Sequence, residues 1–294
     1  MKEIFKRYSI GHFINAPNNP AEFAITRFDE MEEPNVDEIH KHTFYEIVWT
    51  ERGKSKQTID YNQYEVSPNT LFFISPNQVH YFEEWKPLTG GTILFTEDFF
   101  LLNHGSKDKL FELTFLDNIY TNPCVHFSKN NFTEIKHTID LIYIEQNRDD
   151  KSIAIIQSLL HILLTQVQRY VNSHANGTIS KKYLLLYKEF KSLLDAHFHE
   201  NQTTIFYANQ LYITQHHLNM VSKTVTGRTA SEIIKARSIL EAKRFLTFTD
   251  KTVTQIAAGL SYFDSSYFAR IFRAETGMSP NDFKKAMSLK YRIR

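Results

Sequence analysis

Apolar positions along this chain change period twice. Between Ile39 and Phe95 they fall in short β-branched and aromatic runs, TFYEIVWT, SKQTIDY, TLFFISP and GTILF. Runs of this composition predict strands. Gly53, Pro68-Asn69, Pro76-Asn77 and Gly90-Gly91 supply the turns between them. Short strands at near-regular spacing predict a small barrel or sandwich. From Asn131 the spacing becomes helical. Phe132, Ile135, Ile139 and Ile142 form one stripe, and beyond the break at Arg148-Asp149-Asp150 a longer stripe follows: Ile153, Ile156, Leu160, Leu163, Val167 and Tyr170. A helical hairpin over 131–171 is expected. Its stripes suit a cover for the strand domain. Ile155, Leu159, Ile162 and Leu164 add apolar surface beyond one stripe, which predicts a face that pairs with a second copy of the chain. NSHANGTISKK, residues 172–182, is small and polar and reads as a flexible linker. Everything after it has a helical pattern, with proline only at Pro280.

The helical tail repeats itself. Ala208 to Gly227 reads ANQLYITQHHLNMVSKTVTG, and Ile256 to Gly277 reads IAAGLSYFDSSYFARIFRAETG. Leu218 and Phe268, Thr226 and Thr276, and Gly227 and Gly277 correspond at an offset of 50, whereas Ala208 and Ala257 correspond at 49, so the second turn holds one extra residue. A small residue in one helix, a tight turn and an apolar anchor in the next make a helix-turn-helix. Two in one domain predict a grip on double-stranded DNA at two places.

Charge agrees with that division. The 294 residues carry a net +1, but residues 181–294 hold 18 Lys+Arg against 9 Asp+Glu, which leaves 16 against 24 for residues 1–180. A basic tail releases counterions from phosphates, and an acidic front half needs another task. The single cysteine, Cys124, excludes an intramolecular disulfide. The N-terminal residues lack the long apolar core of a signal peptide, and no apolar run approaches 18 residues. A cytoplasmic protein with no membrane partner is expected.

In a helix-turn-helix the second helix leads into the major groove with its N-terminal part. In the first copy Thr214 is the expected N-cap. Leu218 and Val221 face inward, leaving Gln215, His216, Asn219, Met220 and Lys223 outward. Asn and Gln can bond adenine edges bidentately, and Lys can hold guanine or phosphate. In the second copy Asp264 is the expected N-cap, and Tyr267, Phe268, Ile271 and Phe272 supply the buried side. Ser265, Ser266, Ala269, Arg270 and Arg273 are left for DNA, with Arg270 the best reader. The short Ser and Ala side chains predict a helix that mainly positions the domain on the backbone. The amphipathic stretch Ser231 to Thr249 joins the two motifs and would fix their separation.

Residues 183–287 resemble the AraC/XylS family of transcription regulators. LYITQHHLNMVSKTVTGRTASEIIKARSILEAKRFL, DSSYFARIFR and the TGMSP ending carry the resemblance. It implies base reading by His216, Asn219 and Met220. Met220 stands where family members often have Arg, and Ser261 where the second turn usually has Gly.

The front half carries H-x-H-x3-E-x6-G from His40 to Gly53, and PNQVH at Pro76 to His80. These look like the two motifs of a cupin barrel, which such regulators commonly carry; the second motif is one residue short and lacks its Gly. In a strand, alternate positions share a face, so His40, His42, Phe44, Glu46 and His80 are the candidate effector residues. His40, His42, Glu46 and His80 would also make a set for iron, manganese, nickel or zinc; hydrogen bonding to each other or to a small effector is favoured over metal, and no cofactor is expected. The whole reads as an α+β chain of two domains. A cupin-like effector barrel spans 1–130, a dimerising hairpin 131–171, a linker 172–182, and an all-α DNA-binding domain with two helix-turn-helix motifs 183–294. The expected function is an effector-responsive, non-enzymatic, homodimeric transcription regulator, with RNA polymerase a partner if it activates. The alternatives are a cupin metalloenzyme with an appended DNA domain and a regulator with no ligand.

Overall fold

A computed structural model describes residues 7–32, 39–60, 62–101, 113–116, 123–174 and 180–290. The chain divides into two compact units, Phe5–Thr178 and Ile179–Arg294.

Ten strands are described in the first unit: β1 (Arg7–Tyr8), β2 (Phe23–Arg27), β3 (Lys41–His42), β4 (Tyr45–Arg52), β5 (Ser55–Ile59), β6 (Asn62–Val66), β7 (Thr70–Ile74), β8 (His80–Phe82), β9 (Thr89–Phe95) and β10 (Cys124–His126). A five-stranded sheet runs β10-β7-β4-β9-β2, a three-stranded sheet runs β6-β5-β8, and β1 pairs with β3. Four helices accompany them: α1 (Ile10–Phe13), α2 (Glu97–Leu101), α3 (Lys129–Gln146) and α4 (Ile153–His174).

The larger sheet is covered on both faces, which is why its central strands read as unbroken apolar runs. Ile47, Trp49, Leu71, Phe73, Ile93 and Phe95 pack with the stripes of α3 and α4. On the other face Val48, Phe72 and Ile74 pack with Ile59 and Val66 of the smaller sheet. Ser128 caps α3 by accepting from the backbone N–H of Asn131 at 3.3 Å. Leu164 is fully buried and Leu159 half-buried against this core, so these two do not extend the outer face. Ile153, Ile155 and Ile162 of α4, with Leu141 and Ile144 of α3, remain exposed.

The expected linker is shorter than 172–182. Helix α4 continues to His174, because nothing in Asn172-Ser173-His174 breaks it, and the next helix begins at Lys181. Residues 175–179 of that stretch lie outside the described residues.

The second unit holds α5 (Lys181–His197), α6 (Thr204–Gln210), α7 (Gln215–Thr226), α8 (Ala230–Phe248), α9 (Val253–Gly259), α10 (Ser265–Thr276) and α11 (Pro280–Lys290). Helix α8 is the hub, touching α6, α7, α9, α10 and α11. An ion network fastens it. Arg237 donates through Nε to Asp195 at 2.8 Å and through Nη1 to Glu241 at 3.2 Å. Arg244 reaches the same Glu241 oxygen at 3.2 Å, and the Arg237 guanidinium lies 3.8 Å from the Phe198 ring centroid.

Candidate DNA interface and sensor site

The two helix-turn-helix motifs share their backbone detail. Helices α6–α7 form the first and α9–α10 the second. In each, the turn closes with a hydrogen bond to the small residue, Ile213 N–H to Ala208 O at 3.0 Å and Tyr262 N–H to Ala257 O at 2.9 Å. Each turn passes through the left-handed region at a non-glycine residue, Tyr212 at φ 55° and Ser261 at φ 56°. The second helices are then capped alike. The Thr214 hydroxyl accepts from His217 N–H at 3.1 Å. The Asp264 carboxylate accepts from Ser266 and Tyr267 N–H at 2.8 and 3.2 Å.

Both recognition helices end on the same device. Gly227 and Gly277 sit at φ 77°, where an L side chain is strained. Thr226 and Thr276 bond back one turn, to Ser222 O and Phe272 O, and also accept from Arg228 and Met278 N–H. Sequence reasoning stopped at the TG pair, but the likeness runs further. Thr229 caps α8 and Ser279 caps α11, each with an acidic residue three positions on, Glu232 and Asp282. The buried anchors that follow are Ile233 and Phe283.

On α7, Gln215, His216, Met220 and Lys223 are exposed. Asn219 departs from expectation. It is half-buried, and its Oδ1 accepts from the Ala230 backbone N–H at 3.1 Å. That bond ties α7 to the start of α8, and a bidentate contact to adenine would have to share the same oxygen. On α10, Ser266, Arg270 and Arg273 are exposed and Ser265 and Ala269 half-buried. Tyr267, expected inside, is 51 % exposed, and the Arg270 guanidinium lies 5.7 Å from its ring centroid. Phe268 and Phe272 are the fully buried residues of this helix, and Ile271, also expected inside, is half-buried.

The sensor residues gather differently from a simple strand. A bend at Thr43-Phe44 separates β3 from β4, yet His42 and Glu46 still meet, and β8 brings His80 to them. Nε2 of His42 lies 3.4 Å, and Nε2 of His80 3.2 Å, from one oxygen of Glu46. The other oxygen accepts from the Thr92 hydroxyl at 2.9 Å. All three side chains are buried. Burial alone would raise the Glu46 carboxyl, but His42 and His80 overcome it and hold the group ionised, well below the usual range. Burial pushes the His42 imidazole down, Glu46 draws it up, and His80 adds to the lowering; the net direction is down.

His40 and Phe44 do not join this set. His40 is paired with His80 through the backbone, and its ring lies 4.5 Å from His80, 6.4 Å from His42 and 5.2 Å from Phe13. The ring nitrogens of His42 and His80 and an oxygen of Glu46 lie within 4.8 Å of one another, and His40 is outside that group. The expected three-His set therefore reduces to two imidazoles and a carboxylate. Phe44 stacks on His42 at 4.0 Å and is fully buried beside Ile10, Ala24 and Leu94. Both His42 nitrogens and one Glu46 oxygen are buried without an aligned hydrogen bond. An ionised carboxylate beside imidazole nitrogens in that condition is a donor set that fits a divalent transition metal.

Two family models match this chain. Residues 24–166 match the AraC-like ligand binding domain, and residues 207–286 match a helix-turn-helix domain. The chain belongs to the AraC family of transcription regulators. Its plan is that of the family, a sheet-rich ligand-binding domain followed by a helical DNA-binding domain. This AraC-family chain is 23% identical over 258 residues to the transcriptional activator RhaR of Cronobacter sakazakii, covering 85% of this chain and 88% of that one. It is also 23% identical over 254 residues to RhaS of Escherichia fergusonii, covering 84% and 87%. Among solved structures it is similar to ToxT of Vibrio cholerae, with a TM-score of 0.41 and 15% identity over 90% of this chain and 98% of that one.

One feature of this AraC-family regulator lay beyond sequence reasoning. A cavity of about 220 Å³ opens beside α3 and α4, lined by Phe127, Ile135 and Tyr170 and by Glu134, Gln166 and Arg169. Its residues come from α3, α4 and the loop before α3, and only Ile135 and Tyr170 stand in the apolar stripes. No helix among the described residues is long and apolar enough to cross a membrane.

Proposed function

We propose that this chain is a cytoplasmic, homodimeric activator of transcription. Its first unit, a cupin-like barrel in this reading, binds a small molecule, and its second unit reads two successive major grooves. The observation that carries the DNA side is the doubled motif. Two recognition helices with matching caps are fastened to the one hub helix, α8, and each exposes a polar or basic face. A single domain built this way acts as a covalent pair of readers, with its two helices presented one DNA turn apart, about 34 Å. The readers are Gln215, His216, Met220 and Lys223 on α7, and Ser265, Ser266, Ala269, Arg270 and Arg273 on α10. Asn219 supports α7 from behind.

Activation is supported by the relatives RhaR and RhaS, which are transcriptional activators; RNA polymerase would then be a partner of this chain. Dimerisation is supported by the exposed Ile155 and Ile162, two turns apart on one face of α4. On the sensing side, His42, Glu46 and His80 are the polar handles in an otherwise apolar setting, with His40 and Phe44 as surroundings. A ligand acts only by favouring one state of the chain over another. The test is selection of duplexes from a random library by the full chain at physiological salt. A selected site bound ~10³-fold more tightly than random DNA supports the reading; equal affinity ends it.

The donor set at Glu46 favours one second reading, a divalent metal as part of the sensor. Metal analysis of the chain after dialysis against zinc or manganese, beside His42→Ala, decides it. One bound ion lost in the variant supports the metal, and none in either protein removes it.

A further inference from the structure

The two motifs differ by one residue, and the structure shows which. The turn hydrogen bond spans five residues in both copies, Ala208 to Ile213 and Ala257 to Tyr262. The N-cap then follows at once in the first copy, as Thr214, but one position later in the second, as Asp264. The inserted residue is Phe263. It is 109 % exposed, the most exposed large apolar side chain among the described residues. The side chain is fully exposed, so the packing of the turn does not require an aromatic there.

Its place is specific. Phe263 stands immediately before the N-cap of α10, at the end of a recognition helix that leads into the major groove. The N–H groups at that end are already bonded to the Asp264 carboxylate. An anion there disfavours a phosphate, so the end is suited to base edges. The neighbours that could reach bases, Ser265 and Ser266, are short. What Phe263 adds is an apolar surface, and the apolar group that the major groove offers is the C5-methyl of thymine.

We infer that Phe263 is a specificity-determining residue that packs against a thymine methyl in the half-site read by α10. This rests on the DNA-binding reading above. The experiment uses the full chain, wild type and Phe263→Ala, each selecting duplexes from a random library. The thymines of the wild-type site are then replaced one at a time by uracil, which lacks only the methyl. The expected result is one position where uracil weakens wild-type binding ~3- to 5-fold, the scale of burying one methyl group. Phe263→Ala should lose the same factor on the thymine site, show no further loss on uracil, and select any base at that position. Phe263→Leu should recover part of the discrimination. Because the side chain is exposed, all variants should melt with the wild type. A wild-type chain that enriches no sequence overturns the DNA reading and this inference together. A wild-type chain that enriches a site but is indifferent to uracil, or that loses as much on uracil as the variant does, overturns the Phe263 assignment alone. So does a variant that keeps site and affinity but fails to activate transcription, which would give the ring to a protein partner.

Discussion

Asn219 and Lys223 lie one helical turn apart on α7 and should behave unlike each other. Asn219 holds the first backbone N–H of α8, an otherwise unsatisfied helix-start donor. Asn219→Ala should therefore cost about 1 kcal/mol of stability, the scale of a lost cap, seen as a lower midpoint in urea. Lys223 is exposed near the end of α7. Lys223→Ala should leave stability alone, weaken binding to every sequence alike, and reduce the salt slope of log K by about 1. A third residue tests backbone strain. Ser261 occupies the left-handed region in an exposed turn, so Ser261→Gly should stabilise by about 1 kcal/mol in thermal melting. What the residue text left hidden is what a helical wheel cannot carry. The wheel places Asn219 outward, but the start of α8 folds over that position. It places Tyr267 inward, but the ring stays about half exposed, beside the Arg270 guanidinium.

Among the elements, α8 bears most of the order of the second unit, and its ion network gives it a dependence on pH. Burial by itself would raise the Glu241 carboxyl, but Arg244 and Arg237 outweigh it and lower it from its ordinary 4.5. Below 4.5 the unfolded chain binds a proton more readily than the folded one. The contribution of Glu241 is thus fully present above 4.5 and is lost as pH falls through the lowered value. Glu241→Gln should cost about 3 kcal/mol at neutral pH, because two buried guanidinium groups lose their shared partner. The variant should also show a flatter fall in stability below pH 4.5 than wild type, read by urea titration of the full chain across the acid range. Strand legibility followed length and contrast. TFYEIVWT, TLFFISP and GTILF coincide with β4, β7 and β9, whose two covered faces demand apolar residues throughout. β8 and β10 are three residues each and are held by their ladder partners, so composition alone has nothing to register. The same limit hid how His80 meets Glu46, since β8 lies in a different sheet from β4.

For the whole molecule, charge and repetition are legible in the sequence, because a basic tail with a doubled motif points to DNA whatever the loops do. The proposed dimer is a different matter, since the hairpin stripes serve the core first and only the residues left over can serve a partner. Ile155→Glu with Ile162→Glu, both on exposed positions of α4, should convert a dimer to a monomer in sedimentation without lowering the melting midpoint. Two operator half-sites would then be bound without cooperativity.

The most direct measurement is a hydroxyl-radical footprint of the full chain on its selected duplex. Two rigidly linked readers predict two protected windows per chain, about 10 base pairs apart on one face of the helix. Replacement of Gln215 and His216 by alanine should remove one window and weaken the other. A single window, or protection spread evenly over any duplex, would contradict the account.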